Sequence, residues 1–318
     1  MSVLERRPAA RGADPEGTWS TRLWVWFAFC VGALLLLDVV ELRVWAAVVV
    51  VVGAALAAVP ALRPHVDARV DVADLVAVAV AYAGVVTSFV LAFRVFTTDN
   101  VLGLFLCFAA GMLIGVVGPV VYQVWGRGRD LHSLGLGAQR WRQTVVIGIV
   151  LAATQFAVTM VGLDLPAPEE WVPLLAMSLV VGLFEAVFFR GFVQGRLEDS
   201  FGAVAAVVGA AVLYAAYHVG YGMGLSDMWF LLALGVVYAV AYRLTTNILV
   251  IWPLLTPVGA FFNNLTNGDI ELPWASLLGF ADVAVLMVVA IWLAHRHIGK
   301  VRAAAPPATP ESSEMPAG

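Results

Sequence analysis

Glu185, Arg190 and His218 are the residues of this chain whose types and spacing could do chemistry. Glu185 and Arg190 lie in GLFEAVFFRGFVQGR, residues 182–196, and His218 lies in VLYAAYHVGYG, residues 212–222. An ionisable group well inside an apolar segment costs on the order of 2.5–3.5 kcal/mol on insertion scales, so a functional role is its first reading. A glutamate that takes a proton from water, beside an imidazole that orients or protonates, makes a hydrolytic pair. The structural alternatives are an arginine that snorkels to the surface and a histidine that hydrogen-bonds as a packing residue.

What positions these residues follows from composition. The chain is 62% hydrophobic and 13% charged, against about a quarter charged for a soluble domain. With a mean hydropathy of +0.91, it reads as an integral membrane protein: an all-α, polytopic transmembrane helical bundle. Apolar runs near the 20 or so residues that a spanning helix needs fall at 23–40, 44–62, 72–93, 101–125, 144–163, 171–194, 202–222, 228–245, 247–267 and 275–295. Pro60 interrupts the second, and Pro253 and Pro257 the ninth. Spans 171–194 and 202–222 are consecutive, hence antiparallel around EDSFG at 198–202. Glu185 stands 16 residues before Phe201 and His218 stands 17 after it. At about 1.5 Å per residue, both lie roughly 25 Å from the same hairpin tip. A carboxylate and an imidazole at one depth can share a water, provided their azimuths match.

Charge orients the bundle. With about ten spans and both termini cytoplasmic, 15 of the 18 basic residues fall on inner segments. Arg43 and Arg94 alone fall outside, and Arg190 lies at membrane depth. Such a bias is the positive-inside pattern. Asp38, Asp74 and Asp282 sit close to span ends, where tilt or water would solvate them. The first run follows an arginine-bearing tail and lacks a small-residue cleavage site, so it reads as an uncleaved anchor. The organisation expected is a cytoplasmic tail (1–22), a four-helix membrane region (23–125), a cytoplasmic loop (126–143), a six-helix core (144–295) and a disordered tail (296–318). Cys30 and Cys107 both lie in spans and read as packing residues. No pattern calls for a metal, a cofactor or a nucleic-acid partner; the partners expected are the lipid bilayer and a peptide or protein substrate near it.

Residues 130–267 resemble the CAAX prenyl protease and bacteriocin-processing (CPBP) family of intramembrane glutamic endopeptidases. The family's E-E-x-x-x-R motif reads here Glu185-Ala186-Val187-Phe188-Phe189-Arg190, followed by Gly191; its F-x-x-x-H motif reads Tyr214-Ala215-Ala216-Tyr217-His218. The stretch LHSLGLG resembles the usual lead-in. The resemblance implies that Glu185 activates a water for attack on a peptide carbonyl, with His218 assisting and without metal. Arg190 and Tyr214 would then be supporting residues. Two departures stand out. Ala186 replaces the second glutamate, which leaves Arg190 to find another partner: Glu185, Glu198 or a lipid phosphate. The third motif, H-x-x-x-N, has no histidine here. Asn263 or Asn264 would match its asparagine, with Gly259 or Ala260 where the histidine should be. Because Pro257 cannot donate to Pro253 and kinks the helix, the Gly259 N–H is the candidate oxyanion donor; otherwise the asparagines are packing glue.

The leading reading is therefore a metal-independent intramembrane peptidase. One alternative is an impaired homologue acting as a membrane scaffold or bacteriocin-immunity protein. Another is a proton-coupled transporter with Glu185 as carrier. Arginine outnumbers lysine 17 to 1, which suggests a high-GC bacterium and a place in its inner (plasma) membrane.

Overall fold

The computed structural model describes residues 16–37, 39–63, 68–137, 141–159, 168–256 and 273–304. Those residues form helices and connections only. Among the described residues there are ten helical rods, one overlapping each expected span: α1 (Glu16–Leu37), α2 (Leu42–Ala58), α3 (Val72–Phe96), α4 (Val101–Gly126), α5 (Trp141–Thr159), α6 (Pro168–Glu185, continuing through Ala186–Gln194 to Gly195–Phe201), α7 (Ala203–Tyr221), α8 (Met228–Thr245), α9 (Ile248–Thr256) and α10 (Ala275–Ala304). Six of them, α3, α4, α6, α7, α8 and α10, are long and apolar enough to cross a membrane. The chain is thus a multi-pass, all-helical membrane protein. α10 runs past the expected boundary at 295, since no proline stops it before Pro306. The expected loop 126–143 contains a 3₁₀ turn, Leu131–Leu134, and the start of α5.

Local chemistry sets several of these ends. Asp71 caps α3 by accepting from the amides of Ala73 (3.1 Å) and Asp74 (3.3 Å), and Asn100 caps α4 through the amide of Gly103 at 2.9 Å. Gly202, at φ +84°, makes the tight turn between α6 and α7 in a conformation that residues with a Cβ avoid. α7 and α8 form the centre, with α2 against both; α9 packs on α5 and α6, and α10 on α6.

Apolar contact between helices gives little direction in such a bundle, so polar groups fix the register. Trp26 Nε1 donates to the carbonyl of Val237 (3.0 Å), Tyr82 Oη to Leu213 (3.0 Å), Gln194 Nε2 to Ala239 (2.8 Å) and Trp252 Nε1 to Leu179 (2.7 Å). These bonds tie α1 to α8, α3 to α7, α6 to α8 and α9 to α6.

The strongest polar junction surrounds Asp74. Water does not solvate this carboxylate, as its place near a span end suggested; it is 1% exposed. Arg129 lies 2.7 Å from it, Arg127 3.2 Å and Arg196 3.5 Å, and the Tyr122 hydroxyl donates to it at 2.8 Å. Asp71 contacts Arg127, and Asp199 lies 3.2 Å from Arg196. Three aspartates thus balance three arginines where α3, the end of α4 and the end of α6 meet. Burial and its desolvation would raise the Asp71 pKa, but the amides of Asp74 and Ala73 with Arg127 and Arg129 hold it below the usual carboxylate value. A second junction joins Arg243 to Glu198 at 3.4 Å. Arg243 and Arg63 also donate to each other's carbonyls at 2.9 and 2.7 Å.

Removing one member of a buried ionic junction strands the others. Asp74→Asn is therefore expected to destabilise the protein by about 3 kcal/mol or more. Asp71→Asn keeps the cap and loses a partly exposed pair, and should cost less than about 1 kcal/mol. Chemical unfolding of the detergent-solubilised chain checks both; equal losses would show that the burial of Asp74 is not what matters.

Candidate active site

The site begins with a change of helical pitch. α6 is α-helical up to Glu185 and π-helical over Ala186–Gln194. In an α-helix, residues five apart point about 140° away from one another. The wider i→i+5 turn of a π-helix brings them much closer to one face instead. Glu185 and Arg190 therefore come to one face because the turn between them is wide. Every residue of the π-helical stretch is buried. Gly191 is forced by its neighbour: a Cβ there would collide with the carbonyl of Leu134, so the 131–134 turn can seat directly under α6.

Glu185 is 5% exposed. Its Oε1 accepts from the Tyr217 hydroxyl and its Oε2 from the Tyr214 hydroxyl at 3.4 Å. Both tyrosines stand on α7, one turn apart. His218 follows them, 8% exposed, at the point where α7 tightens into a 3₁₀ turn. Its Nδ1 lies 2.9 Å from the carbonyl oxygen of Tyr214. A carbonyl only accepts, so Nδ1 carries the proton and the neutral ring keeps its lone pair on Nε2. No hydrogen bond joins Glu185 to His218 directly. The two share Tyr214 and Tyr217, whose rings lie 5.1 and 4.2 Å from the imidazole, centroid to centroid.

Aromatic rings wall this cluster. Phe184 and Phe189 on α6 contact Tyr217. Phe89 and Phe93, both from α3, lie 4.6 and 4.9 Å from Tyr221. Arg94 on α3 also donates to the carbonyl of Val219 at 3.0 Å. α3, one of the first four helices, thus contributes directly to the site. The spacing YAAYHVGY, with tyrosines three and four residues apart, could have signalled the tyrosine stripe beside His218. Nothing in the sequence signalled Phe89, Phe93 or Tyr238, which are brought in from other helices.

Arg190 does not snorkel. It is 1% exposed, with its guanidinium over the Tyr214 ring at 5.0 Å from the centroid. It makes no ion pair with Glu198, which faces Arg243 instead. Gly259, Asn263 and Asn264, with Ala260, lie outside the described residues. Among the described residues, no three His, Cys, Asp or Glu side chains converge to hold a metal ion.

No curated protein and no solved structure matches this chain. Residues 167–254 match the family described as Type II CAAX prenyl endopeptidase Rce1-like. The match covers Glu185, Arg190, Tyr214, His218 and Tyr238, and leaves out the helices that supply Phe89 and Phe93. The segment of α6, α7, α8 and most of α9 that builds the site thus carries an Rce1-like domain, in keeping with the CPBP resemblance of its motifs.

Proposed function

We propose that the chain is a CPBP-type intramembrane peptidase that hydrolyses a peptide bond close to the bilayer without a metal. Glu185 takes a proton from a water that attacks the peptide carbonyl. His218 Nε2, the nitrogen left free by the Nδ1 bond, accepts a hydrogen bond from that water and orients it, and Glu185 passes the proton it has taken to the departing amine. Tyr217 and Tyr214 hold the carboxylate by one phenol each. The observation that carries this reading is a buried carboxylate and a buried imidazole on consecutive helices, sharing two tyrosines, inside the segment that matches a peptidase family. The chain is placed in the inner (plasma) membrane with both termini cytoplasmic, on the strength of its arginine distribution.

A second reading, an impaired homologue serving as scaffold or immunity partner, has two observations in its favour. Glu185 and His218 are not hydrogen-bonded to each other, and Ala186 stands where the family motif has a second glutamate.

Cleavage of membrane-anchored peptides by the purified chain, followed by mass spectrometry, separates the two readings. Glu185→Gln and His218→Ala should each lower cleavage by about 10²–10⁴-fold with the thermal midpoint largely kept. Product formation that is indifferent to both changes would overturn the peptidase reading.

Tyr217→Phe removes a hydrogen bond to the carboxylate and leaves its ring in place. The cleavage rate should fall by about tenfold or more, with little change in KM. An unchanged rate would mean that the phenol does not hold the reactive carboxylate.

A further inference from the structure

Arg190 poses a problem that the fold does not solve. It heads the large side chains that are fully buried. Its Nε, Nη1 and Nη2 are all sealed from solvent, and among the described residues none has a hydrogen-bond partner. Arg196 and Arg243 are buried as deeply, yet each faces a carboxylate within 3.5 Å. The position one α-turn before Arg190 is Ala186, which offers no oxygen. The hydroxyl of Tyr238 is likewise buried, without a hydrogen-bond partner among the described residues. Tyr238 stands on α8, which packs against the π-helical stretch that carries Arg190.

Buried unpaired donors cost stability, and those of a cation cost most. A buried guanidinium fork and a buried phenol on two helices that pack together are complementary to an anion with two oxygens. We propose that Arg190 and Tyr238 form an anion site that holds the oxygens of the scissile carbon, first as the oxyanion of the tetrahedral adduct and then as the product carboxylate. This rests on the peptidase reading above. The water oxygen bonds to the carbonyl carbon, Glu185 takes one of its protons, and the carbonyl π pair moves onto oxygen beside Arg190. On collapse the C–N bond breaks and the amine takes the proton held by Glu185. The acid that remains gives its proton to the Glu185 carboxylate, leaving a carboxylate on the same donors. Such donors act where charge develops, and one of them is typically worth about 10²–10³ in rate. In this chain they fill the role that the third motif lacks a histidine to fill.

The test uses the purified full chain in lipid nanodiscs and reads its thermal midpoint. Sodium acetate is the anion probe, because a closed site admits a small carboxylate; acetamide and sodium chloride at matched ionic strength are the controls. Acetate should raise the wild-type midpoint, and neither control should. Arg190→Met should raise the basal midpoint by about 2–4 °C, since it removes an unpaired buried charge, and should abolish the acetate response. Arg190→Lys should retain part of that response. Tyr238→Phe should raise the basal midpoint by less than Arg190→Met does, since a neutral unpaired donor costs less than a charged one, and should weaken the response. In cleavage assays Arg190→Met should lower kcat by about 10²–10³ with KM little changed. A basal midpoint that falls in Arg190→Met, or acetate and chloride acting alike on wild type, would overturn the site. An acetate response that requires Arg190, in a chain that cleaves nothing, would uphold the site and sink the peptidase reading. Cleavage that requires Glu185 but not Arg190 would do the reverse.

Discussion

A polar group inside an apolar helix bundle must find its partner within the protein, because neither lipid nor packed side chain supplies a hydrogen bond. This constraint organises the whole molecule. Asp74 meets it with three arginines and a tyrosine, Glu198 with Arg243, and Glu185 with two phenols. Each solution draws its partners from different helices, so satisfying a charge also fixes how the helices stand. Arg190 departs from it most sharply, since all three nitrogens of its guanidinium lack a hydrogen-bond partner among the described residues. Such a cost is characteristic of sites kept for binding or reaction.

The wide turn after Glu185 is the second device. A regular α-helix would send Arg190 away from Glu185, leaving the cation on a different wall. The π-helical stretch turns both inward, and Gly191 lets the Leu134 backbone close over the outside of that turn. One irregular segment thus gathers a carboxylate, a guanidinium and the aromatic residues between them. Irregular helix of this kind survives in an apolar setting only where protein surrounds it, and every residue of this one is buried.

The helices before the Rce1-like segment share in the site. Phe89 and Phe93 close the aromatic wall against Tyr221, and the Asp74 junction ties α3 and α4 to the end of α6. The region without a family match and the region with one therefore share an ionic junction and an aromatic wall. Changes in α3 should be felt at Glu185 through packing alone.

What the sequence determined by itself is whatever depends on composition and local period. The apolar runs, the helix at each expected span, the hairpin around Gly202 and the singularity of Glu185 and His218 are all legible from residue order, because hydrophobic length and one-dimensional spacing suffice for them. The tyrosine stripe beside His218 was legible too, in YAAYHVGY. Azimuth was not. An α-helical reading of residues 185–190 turns Arg190 away from Glu185, and only a pitch change favoured by surrounding contacts brings it back. Nor could spacing reveal that Asp74 is solvated by arginines more than 50 residues away, or that Phe89 borders the Tyr217 ring. Those partners were decided by tertiary structure, because in an apolar interior a polar side chain takes the nearest complementary group in space, whatever its distance along the chain.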